Sequence, residues 1–122
     1  MSLAKPWASP EVVDQVLQFG RTEDPNEACG VITPDSRVVL LPNSSPSPIN
    51  SYVIATEDLV NEIEAYVNRS GADPAELTRE HFMVWHTHPG GVIGPGPGDF
   101  RTKVDGFQYL VVTLPGGEAV QF

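Results

Sequence analysis

The sequence predicts an α/β protein of the α+β kind, in which a mixed β-sheet is flanked by helices. Segments rich in β-branched and aromatic residues alternate with segments whose apolar residues recur at helical spacing. The predicted elements follow the order α, β, β, β, α, β, β, β, which is typical of a sheet with helices packed against it. With 122 residues, 40% of them hydrophobic, the chain can build one core, so we expect a single domain over residues 1–122.

Capping residues mark two predicted helices. Ser9 and Pro10 begin the first helix, and Gly20 is its expected end. Thr56 is expected to cap the second helix, which ends at Ser70 and Gly71. The apolar residues at helical spacing are Val12, Val13, Val16 and Leu17 in the first helix and Leu59, Val60, Ile63, Tyr66 and Val67 in the second.

Six short segments have the composition of strands. They are residues 27–32, 37–41, 51–54, 82–88, 107–114 and 119–122. The first two form an expected antiparallel pair across the turn at 34–36, and residues 42–50 are too polar and proline-rich for regular structure. Residues 72–80 are a link with a short helical turn. The segment 82–88 is apolar on both faces, so we expect it in the centre of the sheet.

Composition excludes several classes of function. The net charge of −9, from 16 acidic and 7 basic residues, disfavours binding to nucleic acid. Cys29 is the only cysteine, so no internal disulfide forms, and a reducing, cytoplasmic compartment is the simplest location. No apolar run approaches the roughly 20 residues of a membrane span, so no membrane is expected as a partner. Residues 1–6 lack the apolar core of a signal peptide.

The most informative stretch is the end of the central strand and the loop after it. His86 and His88 lie on one face of that strand because side chains two residues apart point the same way. The loop 89–98, made largely of glycine and proline, then returns the chain to Asp99. A bare His-x-His favours two ordinary histidines, but the loop and the returning aspartate favour a divalent metal ion such as zinc.

Three such ligands leave a fourth position of a tetrahedral ion open for water. A water on the metal ionises near neutral pH, and amide hydrolysis also needs a carboxylate base that is not a ligand. Other His-x-His sites fit less well: metallo-β-lactamase-like sites place an aspartate where this chain has Gly90, and zinc deaminases need paired cysteines.

These residues resemble the JAB/MPN family that carries the JAMM metal motif. The matching residues are His86-Thr87-His88-Pro89, Asp99 after ten residues, and the upstream Asn26-Glu27-Ala28-Cys29-Gly30. The resemblance implies a fold similar to cytidine deaminases and one zinc ion per chain held by His86, His88 and Asp99. It also implies that Glu27 is the general acid/base of a peptidase or isopeptidase, whose peptide or protein substrate is often joined to a ubiquitin-like tail.

The middle of the chain is similar to the prokaryotic branch that includes the JAB portion of phage tail assembly proteins of the lambda K type. The matching stretches are Pro42-Asn43-Ser44 and Tyr52-Val53-Ile54. In that branch an NlpC/P60 peptidase domain often follows, and here the sequence ends at Phe122. Phage tail proteins are therefore further expected partners, and the oligomeric state stays open.

One position departs from the family pattern. Gly96 stands where the family has a serine that helps to stabilise the oxyanion of the tetrahedral intermediate. This leaves an alternative function open, namely a catalytically weak or inactive assembly module that works by contact alone.

Several other residues are given structural or neutral interpretations. Glu23 and Asp24 compete with Glu27 for the role of base, but they lie in a polar connection. Cys29, Trp85 and Tyr109 are expected core residues, and His81 is expected to be a solvated bystander.

Overall fold

The computed structural model describes residues 8–122, so the signal-peptide prediction for residues 1–6 lies outside it. The helices are α1 (Pro10–Glu23), α2 (Thr56–Ser70) and α3 (Pro97–Thr102). The strands are β1 (Cys29–Ile32), β2 (Val38–Leu41), β3 (Met83–His88), β4 (Gln108–Thr113) and β5 (Ala119–Gln121). Within this part of the chain, no helix has both the length and the apolar character needed to cross a membrane.

The five strands form one mixed sheet in the order β2-β1-β3-β4-β5. β1 runs antiparallel to both β2 and β3, β3 and β4 are parallel, and β5 returns antiparallel to β4. β3 is therefore the central strand, as predicted. The predicted fold class, a mixed sheet flanked by helices, is confirmed.

Each face of the sheet is covered by one long helix. The apolar side of α1 packs on Met83, Trp85 and Leu110, and the ring of Phe19 stacks on Trp85 with the centroids 6.0 Å apart. On the opposite face, Tyr66 of α2 packs edge-on against Phe82. The predicted alternation of β3 is thus observed, with Trp85 facing α1 and its neighbours facing α2. Cys29, Trp85 and Tyr109 are buried, as expected.

The predicted strand 51–54 is wrong, because this segment belongs to no strand. Its backbone groups are bonded within the loop 42–54. The Val53 N–H donates to the Asn43 side-chain oxygen at 3.1 Å, and the Val53 carbonyl accepts from the Ser44 N–H at 2.8 Å. An asparagine side chain therefore takes the place that a neighbouring strand would occupy.

The predicted end of the first helix is also wrong. Gly20 lies inside α1, where a Cβ atom would come within 2.8 Å of the Thr87 methyl carbon and 3.2 Å of Leu114. Glycine is used there because it lets the helix approach the sheet closely.

Three smaller expectations about the second half of the chain are corrected. Ala55 takes the cap position of α2 and Thr56 is its first residue, although the end at Ser70 and Gly71 is confirmed. Val60 is exposed rather than part of the buried stripe. His81 is buried, with its Nδ1 3.1 Å from the Thr78 backbone nitrogen, so it is a structural residue and not a solvated one.

Candidate metal centre

The end of β3 presents two imidazole rings to each other. His86 is fully buried and His88 is partly buried, and their Nε2 atoms are 3.2 Å apart. Both point to the α2 face because they are two residues apart on one strand. Two imidazole nitrogens this close together can bind a single ion between them.

Asp99 returns to the same point, as the loop length predicted. Its Oδ1 is 3.3 Å from Nε2 of His86, and its Oδ2 is 3.3 Å from Nε2 of His88. Asp99 is the third residue of α3 and not its cap. Gly96 takes the cap position, and its N–H donates to Asp99 Oδ2 at 2.9 Å, which fixes the carboxylate from the third position of the helix.

The spacing of these donor atoms fits a tetrahedral ion. With ligand bonds of 2.0–2.1 Å, two donors on a tetrahedron are about 3.3 to 3.4 Å apart. The two imidazole nitrogens are 3.2 Å apart and each lies 3.3 Å from one oxygen of Asp99, His86 from Oδ1 and His88 from Oδ2, and each distance is close to that edge length. The nitrogen and carboxylate donors are also those that zinc accepts, so the residues present fit such an ion.

Glu27 reaches the site through the pairing of β1 with β3. Cys29 is opposite His86, and the same antiparallel register brings Glu27 opposite His88. Just before β1, the Ala28 N–H donates to the Thr87 hydroxyl at 2.9 Å, and the Thr87 N–H donates to the Ala28 carbonyl at 3.0 Å. Glu27, His86 and His88 each offer a ligand atom within 4.8 Å of the others, so this cluster could hold a metal ion.

The loop 42–54 holds the backbone of Glu27 from the other side. Asn43 donates its side-chain N–H groups to the carbonyls of Glu27 at 2.9 Å and Ser51 at 3.0 Å. The Glu27 N–H donates to the Pro48 carbonyl at 2.7 Å. Both backbone groups of Glu27 are therefore bonded to the loop, and its position beside the imidazoles does not depend on its own side chain.

The hydrogen bond of the His88 ring indicates which of its nitrogens carries the proton. His88 Nδ1 is 3.1 Å from the Val92 carbonyl, which can only accept, so Nδ1 carries the proton and Nε2 offers a lone pair. Burial lowers the pKa of His86 and keeps that ring neutral. Although burial alone would raise the pKa of Asp99, hydrogen bonds from His86 and from the Gly96 N–H lower it to about 2. In the metal-free protein the His86 Nε2–H points to Asp99, and a bound cation would take the place of that proton.

Glu27 differs from Asp99 in its electrostatics. Burial, together with the negative charge of Asp99, raises the pKa of Glu27 to about 7. A carboxylate whose pKa lies near neutrality can both accept and return a proton under physiological conditions. The two acids of the site are thus separated by environment, one permanently charged and the other able to exchange a proton.

Two neighbours of the site were not identified from the sequence. The ring of Tyr52 stacks on His86 with centroids 4.3 Å apart, and Phe122 contacts the same imidazole edge-on at 6.2 Å. His86 Nδ1 is buried without a hydrogen-bond partner among residues 8–122, so this ring is held by packing and by the contact of its Nε2 with Asp99. The contact of Tyr52 was not predicted because its segment has the composition of a strand. The role of Asn43 was not predicted either, because this residue lies in a polar loop without a periodic pattern.

Cys29 has no feature of a nucleophile. Its thiol is buried and lies 3.7 Å from the Leu41 carbonyl, and burial raises its pKa to about 12. A protonated, enclosed thiol is chemically inert.

A family model described as prokaryotic homologs of the JAB domain matches residues 9–120. The chain belongs to this family. Among solved structures, this JAB domain is similar to protein DSY2949 from Desulfitobacterium hafniense, with 21% identity and a TM-score of 0.68. The match covers 93% of this chain and 78% of that one. At that identity the likeness shows a shared fold only.

A protein from Salinibacter ruber also matches, with 19% identity and a TM-score of 0.43, over 92% of this chain and 75% of that one. Among curated protein sequences, no match to this JAB domain is found.

Proposed function

We propose that the protein is a zinc-dependent metallopeptidase or isopeptidase of the JAMM type. The observation that supports this most directly is the convergence of His86, His88 and Asp99, in which the two Nε2 atoms are 3.2 Å apart and each lies 3.3 Å from a carboxylate oxygen. In this proposal these three side chains hold one zinc ion. When bound, zinc would supply a Lewis acid that polarises the scissile carbonyl and lowers the pKa of a coordinated water.

Each side chain of the site has a separate part in the proposed reaction. Glu27 takes the proton of the attacking water and returns it to the leaving amine, which its pKa of about 7 in the metal-free protein favours. Asn43 and Thr87 hold Glu27 against the imidazoles by bonding its backbone and that of Ala28. Tyr52 covers His86 and keeps bulk water from that side of the ring.

The first experiment measures zinc per chain by elemental analysis, in protein prepared without a chelator or a metal-binding tag. We expect close to one zinc ion in the wild type and almost none in His88→Ala. His81→Ala is the matched control, because this third histidine is bonded to Thr78 away from the site. Equal zinc contents in all three folded proteins would refute the ligand assignment.

A second experiment separates a base from a ligand, since Glu27 also lies within reach of both imidazoles. Glu27→Gln should keep its zinc and lose hydrolysis of a peptide-amide panel, whereas Glu23→Gln should keep both. If Glu27→Gln lost its zinc, Glu27 would be a ligand. If it retained full hydrolysis, the proposed mechanism would be wrong.

The alternative function is an assembly module without catalysis, and the presence of Gly96 at the position of the motif serine favours it. A folded protein that binds no zinc at all would support this alternative. A part in phage tail assembly, a ubiquitin-like or phage tail partner and a cytoplasmic location stay predictions of the family resemblance and of the single cysteine.

A further inference from the structure

We propose that an apolar cavity beside the metal centre binds a large aliphatic or aromatic side chain of a peptide. That peptide is the substrate if the function proposed above is correct, and the bound side chain would lie about two residues from the bond that is cleaved.

The cavity lies on the α2 face of the sheet and has a volume of about 310 Å³. Its floor is formed by Val84 of β3 and Tyr109 of β4, which are paired in register. Leu59 of α2, Tyr52 of the loop 42–54 and Val104, which follows α3, form walls around this floor. This volume is at the lower end of the roughly 300 to 1,000 Å³ of small-ligand sites, which leaves room for one large side chain rather than for a longer segment.

The cavity and the metal centre are neighbours on one surface. Val84 and His86 are successive residues of the same face of β3, which places them about 6.5 to 7 Å apart. Tyr52 both lines the cavity and stacks on His86, so one ring borders both. An extended peptide rises about 3.3 Å per residue. A peptide bond held at His86 would therefore bring a side chain two residues away over the cavity.

The chemistry of the walls selects the occupant. None of the described residues that line the cavity is charged. The one polar group of the floor, the Tyr109 hydroxyl, accepts a hydrogen bond from the Val104 N–H at 2.7 Å. The lining also includes the hydroxyl groups of Tyr52, Thr56 and Thr102, but it has no charged group that would neutralise a charged side chain. Burying an apolar side chain there is favourable because apolar surface is removed from water.

The rim of the cavity offers a way to block it with a substitution that replaces no side chain of the metal site. Val53 lines the cavity and is 48% exposed, and Val60 of α2 is 44% exposed but lies outside the lining. Val53→Trp and Val60→Trp therefore form a matched pair, with the same substitution at nearly equal exposure and only one at the cavity.

The binding test does not need a metal. N-acetyl-leucinamide, N-acetyl-phenylalaninamide and N-acetyl-glycinamide are titrated into isotope-labelled protein, and backbone amide shifts are recorded by NMR. We expect the two apolar probes to shift residues 52–59 and 104–109, with an affinity at least about 10-fold weaker in Val53→Trp and nearly unchanged in Val60→Trp. Equal shifts with the glycine probe, shifts elsewhere, no shifts, or equal loss in both variants would overturn the proposal.

A second test uses the zinc-loaded protein and peptides in which one position near the scissile bond is varied in turn. Changing leucine to glycine at a single position should lower kcat/KM by about 10- to 100-fold in the wild type and in Val60→Trp, but much less in Val53→Trp. A flat profile in the wild type would refute the substrate role. Absence of turnover with every peptide would refute the hydrolase itself, while the probe titration would still decide whether the cavity binds apolar side chains.

Discussion

Gly96→Ser is expected to increase hydrolysis, because it restores a hydroxyl at the position where the family has one. The structure has room for it. A Cβ atom at Gly96 meets no heavy atom within 4 Å, and its φ of −90° is accessible to any residue. The Gly96 N–H is also bonded to Asp99 at 2.9 Å, so the new side chain would begin next to the metal centre.

The magnitude follows from two separate effects. One hydrogen-bond donor to an oxyanion changes kcat by about 100- to 1,000-fold, so we expect kcat/KM to rise by about 100-fold or more. At a helix cap, serine is more stable than glycine by only about a few tenths of a kcal/mol, so stability should change little. Rate and stability are therefore predicted to respond very differently to this one substitution.

The assay compares kcat/KM on the peptide-amide panel, zinc content and urea unfolding for the wild type, Gly96→Ser and Gly98→Ser. Gly98 is the matched control, since its Cβ would make only an ordinary contact of 3.9 Å with Arg101. If Gly96→Ser bound zinc and folded but was no faster than the wild type, the reasoning would be refuted. An equal gain in Gly98→Ser would show that the hydroxyl acts without regard to position.

Three further predictions concern the framework of the fold, each measured by urea unfolding. Asn43→Ala should destabilise the protein by about 1–3 kcal/mol and lower hydrolysis, because the loop 42–54 and Glu27 lose a shared partner; unchanged stability would contradict this. Gly30→Ala should cost about 3 kcal/mol, since its Cβ would lie 1.8 Å from the Val39 carbonyl oxygen; a mild effect would mean that β2 moves away easily. Asp35 accepts two hydrogen bonds from Arg69, and these lower the pKa of Asp35. The contribution of this pair to the free energy of unfolding is therefore present above the ordinary pKa of aspartate and is lost as the pH falls through the lowered value. Because Asp35 is 46% exposed, Asp35→Asn should cost only about 0.5–1 kcal/mol at pH 7 and nothing in strong acid, and a pH-independent cost would exclude the ion pair as the cause.

The fold class was predictable because the strands and helices with the strongest patterns are also the most buried ones. The alternation in β3 and the apolar stripe of α1 report directly which face meets the core. The end of α1 was not predictable in the same way. Gly20 has the residue type of a helix stop, but its function depends on the distance to Thr87, which is far away in sequence.

The sequence predicted the residues of the site that follow from strand periodicity and from the loop after β3, but not those that depend on the loop 42–54. The shared face of His86 and His88 follows from the period of a strand, and the glycine- and proline-rich loop 89–98 was expected to return the chain to Asp99, as is observed. Tyr52 and Asn43 were missed because their contacts are made by a loop whose hydrogen bonds are mostly its own. No periodic pattern reports such contacts.

The fold itself positions the side chains of the site. His86 is fixed by packing against Tyr52, His88 by the Val92 carbonyl, and Asp99 by the Gly96 N–H. Glu27 is fixed through its backbone. Since none of these contacts requires a cation, the core should remain folded without one, in contrast to domains whose folding energy comes from the metal. A folded metal-free protein is thus expected from both an enzyme and an assembly module, and the affinity for zinc is the property that separates them.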